Sequence, residues 1–230
     1  MSSIITLKVL QSGSSGNCYL LSSGTETLVI EAGIPYKRIL KGLDFNLMDV
    51  VGVVISHSHQ DHSKSAEDFK RAGIPVFDSY DSEAEKQVRT YGNFVIHSFK
   101  LEHDVPCMGF YILHPDMGSL VYLTDTEYCK YRFPNVNHIL IEANYDARLI
   151  PEDHPARVHI LKGHMELQTT KGFVQANKSS ELRNIILCHM SAENMDETVM
   201  LQEVSEVAGK RVSVSVAESG LSLELSKYPF

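Results

Sequence analysis

Residues 53–64 read VVISHSHQDHSK, in which three histidines and an aspartate fall within six positions directly after an apolar run. The β-branched residues of that run predict a buried strand. On an extended segment His57 and His59 project in the same direction, and Asp61 and His62 begin the helical turn beyond. Polar groups at such spacing need partners when they are buried. The stretch therefore predicts a metal site at the end of a strand.

Three other predicted strands also end near a residue that can bind a metal: His103 after SFKLE, Asp125 after VYLT and His189 after NIILC. Loops at strand ends are where a rigid sheet can direct side chains to one point. Mixed imidazole and carboxylate ligands suit a first-row divalent ion. The predicted ligands of two such ions are His57, His59 and His103 for one, Asp61, His62 and His189 for the other, and Asp125 between them.

Two divalent metal ions per chain are thus expected, with zinc as the first choice and manganese or another first-row ion as the alternative. Such a pair lowers the pKa of a water that it binds, which suits hydrolysis at neutral pH. The remaining histidines are predicted to be structural or surface residues: His97, His114, His138, His154 and His159.

The composition is that of an ordinary globular protein, with 43% hydrophobic and 22% charged residues in 230. We expect one domain over residues 1–230. No apolar run approaches the ~18 residues of a membrane-spanning helix, so no membrane partner is expected. The start, MSSIITLKVLQ, does not resemble a signal peptide, which favours the cytoplasm, or the host cytoplasm if a phage encodes the chain.

The formal charge of −8 and the lack of a basic stripe weigh against a protein that grips long nucleic acids. A small anionic substrate at a metal site is compatible with this charge. The four cysteines are scattered and form no CxxC pair, so buried thiols are more consistent with the sequence than a zinc finger or a disulfide framework.

The order of predicted elements indicates the fold class. Three strands come first, and strands alternating with helices follow, which favours two sheets face to face with helices outside. This α/β arrangement is a four-layer αββα sandwich, although periodicity alone also allows an open α/β sheet. Two local predictions are a polar helix at 83–90 and an alternating hairpin at 211–225.

The segment from His57 to His62 resembles the HxHxDH signature of metallo-β-lactamase-fold hydrolases. The likeness extends to the YycJ/WalJ-like branch, which is similar to the ribonuclease Z group, through SGSSGNCYLL, LVIEAG, EHDVPCMGF, LTDT, ILIEANYD, KGHMEL and LCHMSAEN. This resemblance implies an αββα sandwich, a dinuclear metal site with the ligands above and hydrolysis of phosphodiesters.

The resemblance also implies roles for residues near the substrate. His164 would lie near the substrate phosphate as a charge stabiliser or proton donor, with a structural histidine as the alternative. Asp61 would orient the attacking hydroxide as well as bind metal. Ser191 and Asn194, in the LCHMSAEN segment, are candidate substrate contacts.

The chain departs from the family pattern in two places. Glu31 stands where the family usually has the aspartate of IDAG, so a longer carboxylate has to orient a ligand. Residues 163–167 read GHMEL where the family has GHLSN, which removes a hydroxyl and an amide that could contact substrate. The chain has no long insertion between Asp125 and His189, which disfavours a β-CASP nuclease. It also has no Gly- and Lys-rich arm of the kind that holds transfer RNA.

These features predict a metal-dependent phosphodiesterase that acts on nucleotides. The acidic charge, compact length and GHMEL segment favour small cyclic nucleotides, as in phage anti-Pycsar enzymes. The alternative is a YycJ/WalJ-like 5′–3′ DNA exonuclease that acts on a nucleic-acid end. A thioester or lactam hydrolase and an inactive binding module are further alternatives. Since relatives commonly pair, a homodimer is expected.

Overall fold

The computed structural model describes residues 3–78, 87–153 and 157–227. Across these ranges the strands form two mixed sheets, one of six strands and one of seven. The strands of the first sheet are β1 (Thr6–Gln11), β2 (Cys18–Ser22), β3 (Thr27–Ile30), β4 (Val50–Val54), β5 (Val76–Phe77) and β13 (Ser222–Glu224). They lie in the order β13-β1-β2-β3-β4-β5, antiparallel as far as β3 and parallel from β3 to β5.

The second sheet carries most of the parallel pairing. Its strands are β6 (Val88–Tyr91), β7 (Phe94–Leu101), β8 (Cys107–His114), β9 (Gly118–Leu123), β10 (His138–Glu142), β11 (Asn184–Cys188) and β12 (Ser213–Val216). They lie in the order β12-β11-β10-β9-β8-β7-β6. Strands β9 to β12 are parallel, so the carboxyl ends of β9, β10 and β11 lie side by side.

The helices are α1 (Tyr36–Gly42), α2 (Gln60–Ser63), α3 (Ala66–Arg71), α4 (Arg157–Gly163), α5 (Leu167–Asn177) and α6 (Glu197–Ala208), with a 3-10 turn at Ala147–Leu149. Acidic residues cap the two longest. The Glu166 carboxylate accepts the N–H of Gln168 and Thr169, and the Asp196 carboxylate accepts that of Val199. Among the residues described, no helix has the length and apolar character needed to cross a bilayer.

Several strands are buried on both faces, so each sheet needs the other sheet on one side and helices on the other. Side chains alternate along a strand, so Leu21 packs between the sheets with Phe110, while its neighbour Leu20 packs on the outer face with Phe69 of α3. On the second sheet, Phe173 of α5 belongs to the cluster that covers the outer face. Helices thus cover the outer faces of both sheets. The predicted αββα sandwich is confirmed, and the alternative prediction of a single open sheet is wrong.

Two local predictions are wrong. Residues 211–225 form no hairpin, because β12 pairs with β11 in the second sheet and β13 pairs with β1 in the first. Alternation shows that a strand is half-buried but does not specify its partner. The predicted helix at 83–90 is a strand from Val88, paired with β7, and residues 79–86 lie outside the described residues. Helix α5 was not predicted.

Candidate metal centre

The predicted ligands converge where strand ends from both sheets meet. His57 follows β4 of the first sheet, whereas Asp125 and His189 follow β9 and β11 of the second. His103 follows β7, and the short helix α2 carries the last two residues of the HxHxDH motif. Among the described residues, this region contains four groups of side chains that could bind a metal ion. Within each group the potential ligand atoms lie within 4.8 Å of one another.

His57, His59 and His103 form the first group, which we call the three-histidine position. Nε2 of His57 lies 3.1 Å from Nδ1 of His59. That Nδ1 atom lies 3.4 Å from Nε2 of His103. Three imidazole nitrogens at this separation suit a single divalent ion.

Asp61, His62 and His189 form the second group, which we call the aspartate position. Oδ2 of Asp61 lies 3.4 Å from Nε2 of His62 and 3.5 Å from Nε2 of His189. Oδ2 of Asp125 lies 2.8 Å from Nε2 of His62 and 4.0 Å from Nε2 of His57. Asp125 therefore lies between the two positions.

Three residues at the site have left-handed backbone conformations. The φ angles are +61° for Glu31, +48° for Asp125 and +51° for His189. Such angles are uncommon outside glycine and are concentrated at functional sites. Each of these residues follows the end of a strand, so the turn directs its side chain into the site.

Helix α2 lies directly against the loop that follows β3. The N–H of Asn17 donates to the carbonyl of Asp61 at 2.7 Å. A Cβ atom on Gly33 would lie only 1.7 Å from the same carbonyl oxygen. Gly33 is therefore needed for the close approach that sets the position of α2 and of the ligands on it.

Glu31, the longer carboxylate, still reaches a ligand. It is fully buried, and its Oε1 atom lies 3.4 Å from Nδ1 of His62. The same carboxylate accepts hydrogen bonds from the Ser56 N–H at 3.2 Å and from the Tyr122 hydroxyl at 3.0 Å. Glu31 is thus placed to orient His62 through its outer nitrogen.

Glu142, the last residue of β10, was not predicted as a site residue. It is fully buried, and its Oε1 atom lies 3.0 Å from Nδ1 of His189 and 2.7 Å from Nδ1 of His164. Its other oxygen accepts the backbone N–H groups of Thr126 and Met165. The signal in the sequence was an acid at the end of the wholly buried strand HILIE.

The site concentrates negative charge. Glu31, Asp125 and Glu142 are buried, and in the described part of the chain no lysine or arginine forms an ion pair with them. Nε2 of His189 is buried and makes no hydrogen bond among the described residues. Because divalent cations would offset this charge and accept the convergent nitrogens, the residues fit a pair of metal ions.

Burial and the neighbouring charged groups shift the pKa values of the histidines at the site. Burial and the neighbouring His62 lower the pKa of His57 to about 2, so that imidazole is neutral and able to bind a metal at neutral pH. Burial opposes protonation of His189, but Asp125 and Asp61 raise its pKa to about 9. The carboxylates thus attract protons where divalent ions could replace them.

His164 lies at the edge of this cluster. Its Nδ1 atom lies 3.1 Å from Oδ1 of Asp125, and its ring stacks on His189 at a centroid distance of 5.3 Å. Burial opposes its protonation, but hydrogen bonds to Asp125 and Glu142 raise its pKa to about 10. His164 is therefore held beside both metal positions.

Ser191 and Asn194 bond to each other in the loop after β11. The Ser191 hydroxyl accepts the side-chain amide of Asn194 at 3.2 Å, and the Ser191 N–H donates to the Asn144 carbonyl at 2.9 Å. The Asn194 carbonyl accepts the N–H of Asp146 at 2.8 Å. These contacts shape the loop, and contact with substrate stays a prediction for both residues.

Three other histidines have structural partners, as predicted. His97 packs near Tyr111, with ring centroids 6.2 Å apart. His114 pairs with Glu26 at 3.0 Å, and His138 contacts the Met117 carbonyl at 3.3 Å. His154 and the side chain of His159 lie outside the described residues.

A cavity of about 280 Å³ opens beside the three-histidine position. The residues that line it are Glu102, His103, Asp104, Glu127, Lys162 and Gly163. Three carboxylates and a single lysine are among these residues, so the wall of the cavity is predominantly acidic.

The chain is similar to known proteins over most of its length. The chain is 26% identical over 230 residues to exodeoxyribonuclease YycJ of Bacillus anthracis, covering 86% of this chain and 87% of that protein. It is 26% identical over 242 residues to exodeoxyribonuclease WalJ of Streptococcus pneumoniae, covering 90% of each. The predicted resemblance to the YycJ/WalJ-like branch is therefore confirmed.

Among solved structures, the metallo-beta-lactamase fold protein YhfI of Bacillus subtilis matches with a TM-score of 0.74 and 20% identity, covering 96% of this chain and 99% of that one. This likeness supports the fold. Residues 12–164, which include most of the candidate ligands, match the family described as the metallo-beta-lactamase superfamily. The chain belongs to the metallo-beta-lactamase superfamily.

Proposed function

We propose that this chain is a dinuclear metal-dependent phosphodiesterase that hydrolyses nucleotide substrates. The observation that carries the proposal is the convergence of the three-histidine and aspartate positions on either side of Asp125. The relatives at 26% identity are exodeoxyribonucleases, which cleave phosphodiester bonds, and this supports the same bond type here.

Two divalent ions, with zinc as the proposed species, would supply Lewis acidity and an activated water. Asp61 would orient that water. Its side chain is 28% exposed, whereas those of His62 and His189 beside it are 0% and 2% exposed. A carboxylate that is partly open to solvent and lies between two buried imidazoles can accept a hydrogen bond from the attacking water and align it with phosphorus.

His164 would act on the leaving oxygen. Glu142 accepts a hydrogen bond from its Nδ1 atom, which fixes the ring and assigns proton transfer to Nε2. A carboxylate behind the imidazole also stabilises the positive charge that the ring carries before it donates. We assign His164 as the proton donor to the leaving group, with Glu142 as the residue that positions it.

The acidic cavity favours a small nucleotide over a long polyanion. Glu102, Asp104 and Glu127 would repel the successive phosphates of a nucleic acid beside the reacting one. A cyclic nucleotide carries a single phosphate and avoids this repulsion. We therefore propose small cyclic nucleotides as the first substrate class, and a DNA end, which the named relatives favour, as the second.

The reaction type is tested with bis-p-nitrophenyl phosphate. We expect the purified protein to hydrolyse it, and expect chelation of metals, Asp61→Ala and His59→Ala each to lower kcat at least about 100-fold. His97→Ala, a half-buried histidine outside the cluster, is the matched control and should retain activity. Unchanged turnover after metal removal or in Asp61→Ala would refute the proposal.

The substrate class is tested with a panel of cyclic CMP, cyclic UMP, cyclic AMP, a 5′-phosphorylated DNA duplex and a thioester. Hydrolysis of the cyclic nucleotides with little release from the duplex is the expected result. Preferential digestion of the duplex would assign the chain to the exonucleases. Thioester cleavage without phosphodiester cleavage would reject the proposed reaction itself.

We also propose that residues 1–230 form one domain and that the chain forms a homodimer. A cooperative single unfolding transition and a mass of twice 25.8 kDa by light scattering are the expected results. A monomer at micromolar concentration would reject the dimer without affecting the proposed reaction.

A further inference from the structure

The two metal positions differ in what supports their ligands from behind. At the aspartate position, the outer nitrogen of His62 faces Glu31 at 3.4 Å and that of His189 faces Glu142 at 3.0 Å. Both carboxylates are fully buried. Each of these histidines thus has a fixed carboxylate that sets its orientation and raises its basicity.

The three-histidine position lacks this support. The outer nitrogen of His57 meets the Ser56 hydroxyl at 2.9 Å, which is a neutral partner. The outer nitrogen of His59 lies 3.7 Å from Asp104, whose carboxylate also lies 3.0 Å from Nε2 of His103. The side chains of His59 and Asp104 are 40% and 48% exposed, so water screens the charge of this carboxylate. Nδ1 of His103 is buried and has no hydrogen-bond partner among the described residues.

The aspartate position also carries more negative charge than the three-histidine position. Asp61 contributes a carboxylate directly to the aspartate position, and Glu31 and Glu142 lie immediately behind its histidines. The ligands specific to the other position are three imidazoles, which are neutral when they bind a metal. Asp125 lies between the two, but its Oδ2 atom is nearer Nε2 of His62, at 2.8 Å, than Nε2 of His57, at 4.0 Å. A divalent cation is therefore attracted more strongly to the aspartate position.

From these contacts we infer that the two positions bind metal with unequal affinity: the aspartate position holds its ion tightly, and the three-histidine position exchanges its ion with solvent. Exchange would occur through the cavity lined by Asp104 and Glu127, which opens beside His103. The inference rests on the proposed function in assigning these residues as metal ligands. Activity would then depend on free ion concentration through the three-histidine position alone.

Each carboxylate behind a histidine is worth about 10- to 100-fold in metal affinity. We therefore expect the two dissociation constants to differ at least about tenfold. Equilibrium dialysis of the full chain against buffers of graded free Zn²⁺, with zinc and protein measured by elemental analysis, should show two separate binding steps of one ion each.

Ligand variants assign the steps. His103→Ala should lose the weaker binding step and retain the tight one. His189→Ala should hold no zinc at the low free Zn²⁺ concentrations at which the wild type still holds one ion. Glu31→Gln, which keeps the shape of the side chain and removes its charge, should raise the tighter dissociation constant about 10- to 100-fold. Glu102→Gln, on the cavity wall, is the control and should leave that constant unchanged.

Other outcomes of the same measurements would contradict the inference or the proposed function. Loss of the tight step in His103→Ala, or two equal constants in the wild type, would overturn the inference and leave the proposed function standing. If His189→Ala fails to fold, as judged by circular dichroism, Glu31→Gln decides the assignment, and an unchanged constant overturns it. A wild-type chain that binds no zinc, manganese or iron would refute the proposed function itself.

Discussion

Oε1 of Glu142 lies 2.7 Å from Nδ1 of His164, and this contact joins the carboxyl end of β10 to the residue that follows α4. The same oxygen lies 3.0 Å from Nδ1 of His189. One buried carboxylate therefore orients both a candidate metal ligand and the candidate proton donor.

Replacing Glu142 with glutamine should lower kcat by about 10- to 100-fold, because an amide cannot present acceptor oxygens to both imidazoles and to two backbone N–H groups. The measurement is steady-state hydrolysis of bis-p-nitrophenyl phosphate at saturating zinc. Glu181→Gln, at an exposed glutamate that does not line the cavity, is the matched control. Equal kcat values for the two variants would show that Glu142 does not position His164.

Tyr122→Phe should destabilise the fold by about 1–3 kcal/mol, because it removes a hydrogen-bond donor from the buried carboxylate of Glu31. The free energy of unfolding in urea measures this. Tyr111→Phe, on the outer side of the neighbouring strand β8, is the control for loss of a hydroxyl and should change stability much less. A change in Tyr122→Phe no larger than in this control would contradict the prediction.

Gly33→Ala should destabilise the chain by about 3 kcal/mol or more and abolish turnover, since the new methyl group would overlap the carbonyl of Asp61 at 1.7 Å. Gly172→Ala is the matched substitution in helix α5, where a Cβ atom meets nothing within 4 Å. It should stabilise the chain by about 0.5–1 kcal/mol through helix propensity. Thermal unfolding and activity of both variants, compared side by side, test the pair.

Stability should fall as the pH drops from about 6.5 to about 4, and His138 should account for part of that loss. Burial is the main cause that lowers its pKa to about 4, aided by Arg183 and opposed by the Met117 carbonyl. Below pH ~6.5 the unfolded chain takes up a proton that the folded chain rejects, so folding weakens by up to about 3 kcal/mol across this window.

His138→Phe, which cannot titrate, isolates this contribution. The variant should show a smaller loss of unfolding free energy than the wild type between pH 6.5 and 4. Unfolding at pH 8, where the imidazole is neutral in both states, separates the effect of packing from that of titration. Parallel pH profiles for the two proteins would assign the acid sensitivity to other groups.

Local patterns were sufficient for much of the fold. Continuous apolar runs such as VVGVV in β4 and ILI in β10 predict strands buried on both faces, and such strands require covering layers on both sides. The C-terminal strands show the limit of this reasoning. Their alternation is real, but β12 and β13 belong to different sheets because pairing depends on which edge is open, and no local pattern records that.

The sequence by itself determined which residues can bind metal and that they stand at strand ends, because ligand chemistry and strand periodicity are local properties. Only the tertiary structure decided which residues stand behind those ligands. Glu142 and Tyr122 are separated along the chain from the histidines and the glutamate that they contact. The pairing of β10 with β11 brings Glu142 to His189, and the stacking of the two sheets brings Tyr122 to Glu31. The difference between the two metal positions follows from Glu31 and Glu142, so it becomes visible only once strands that are distant in sequence have paired.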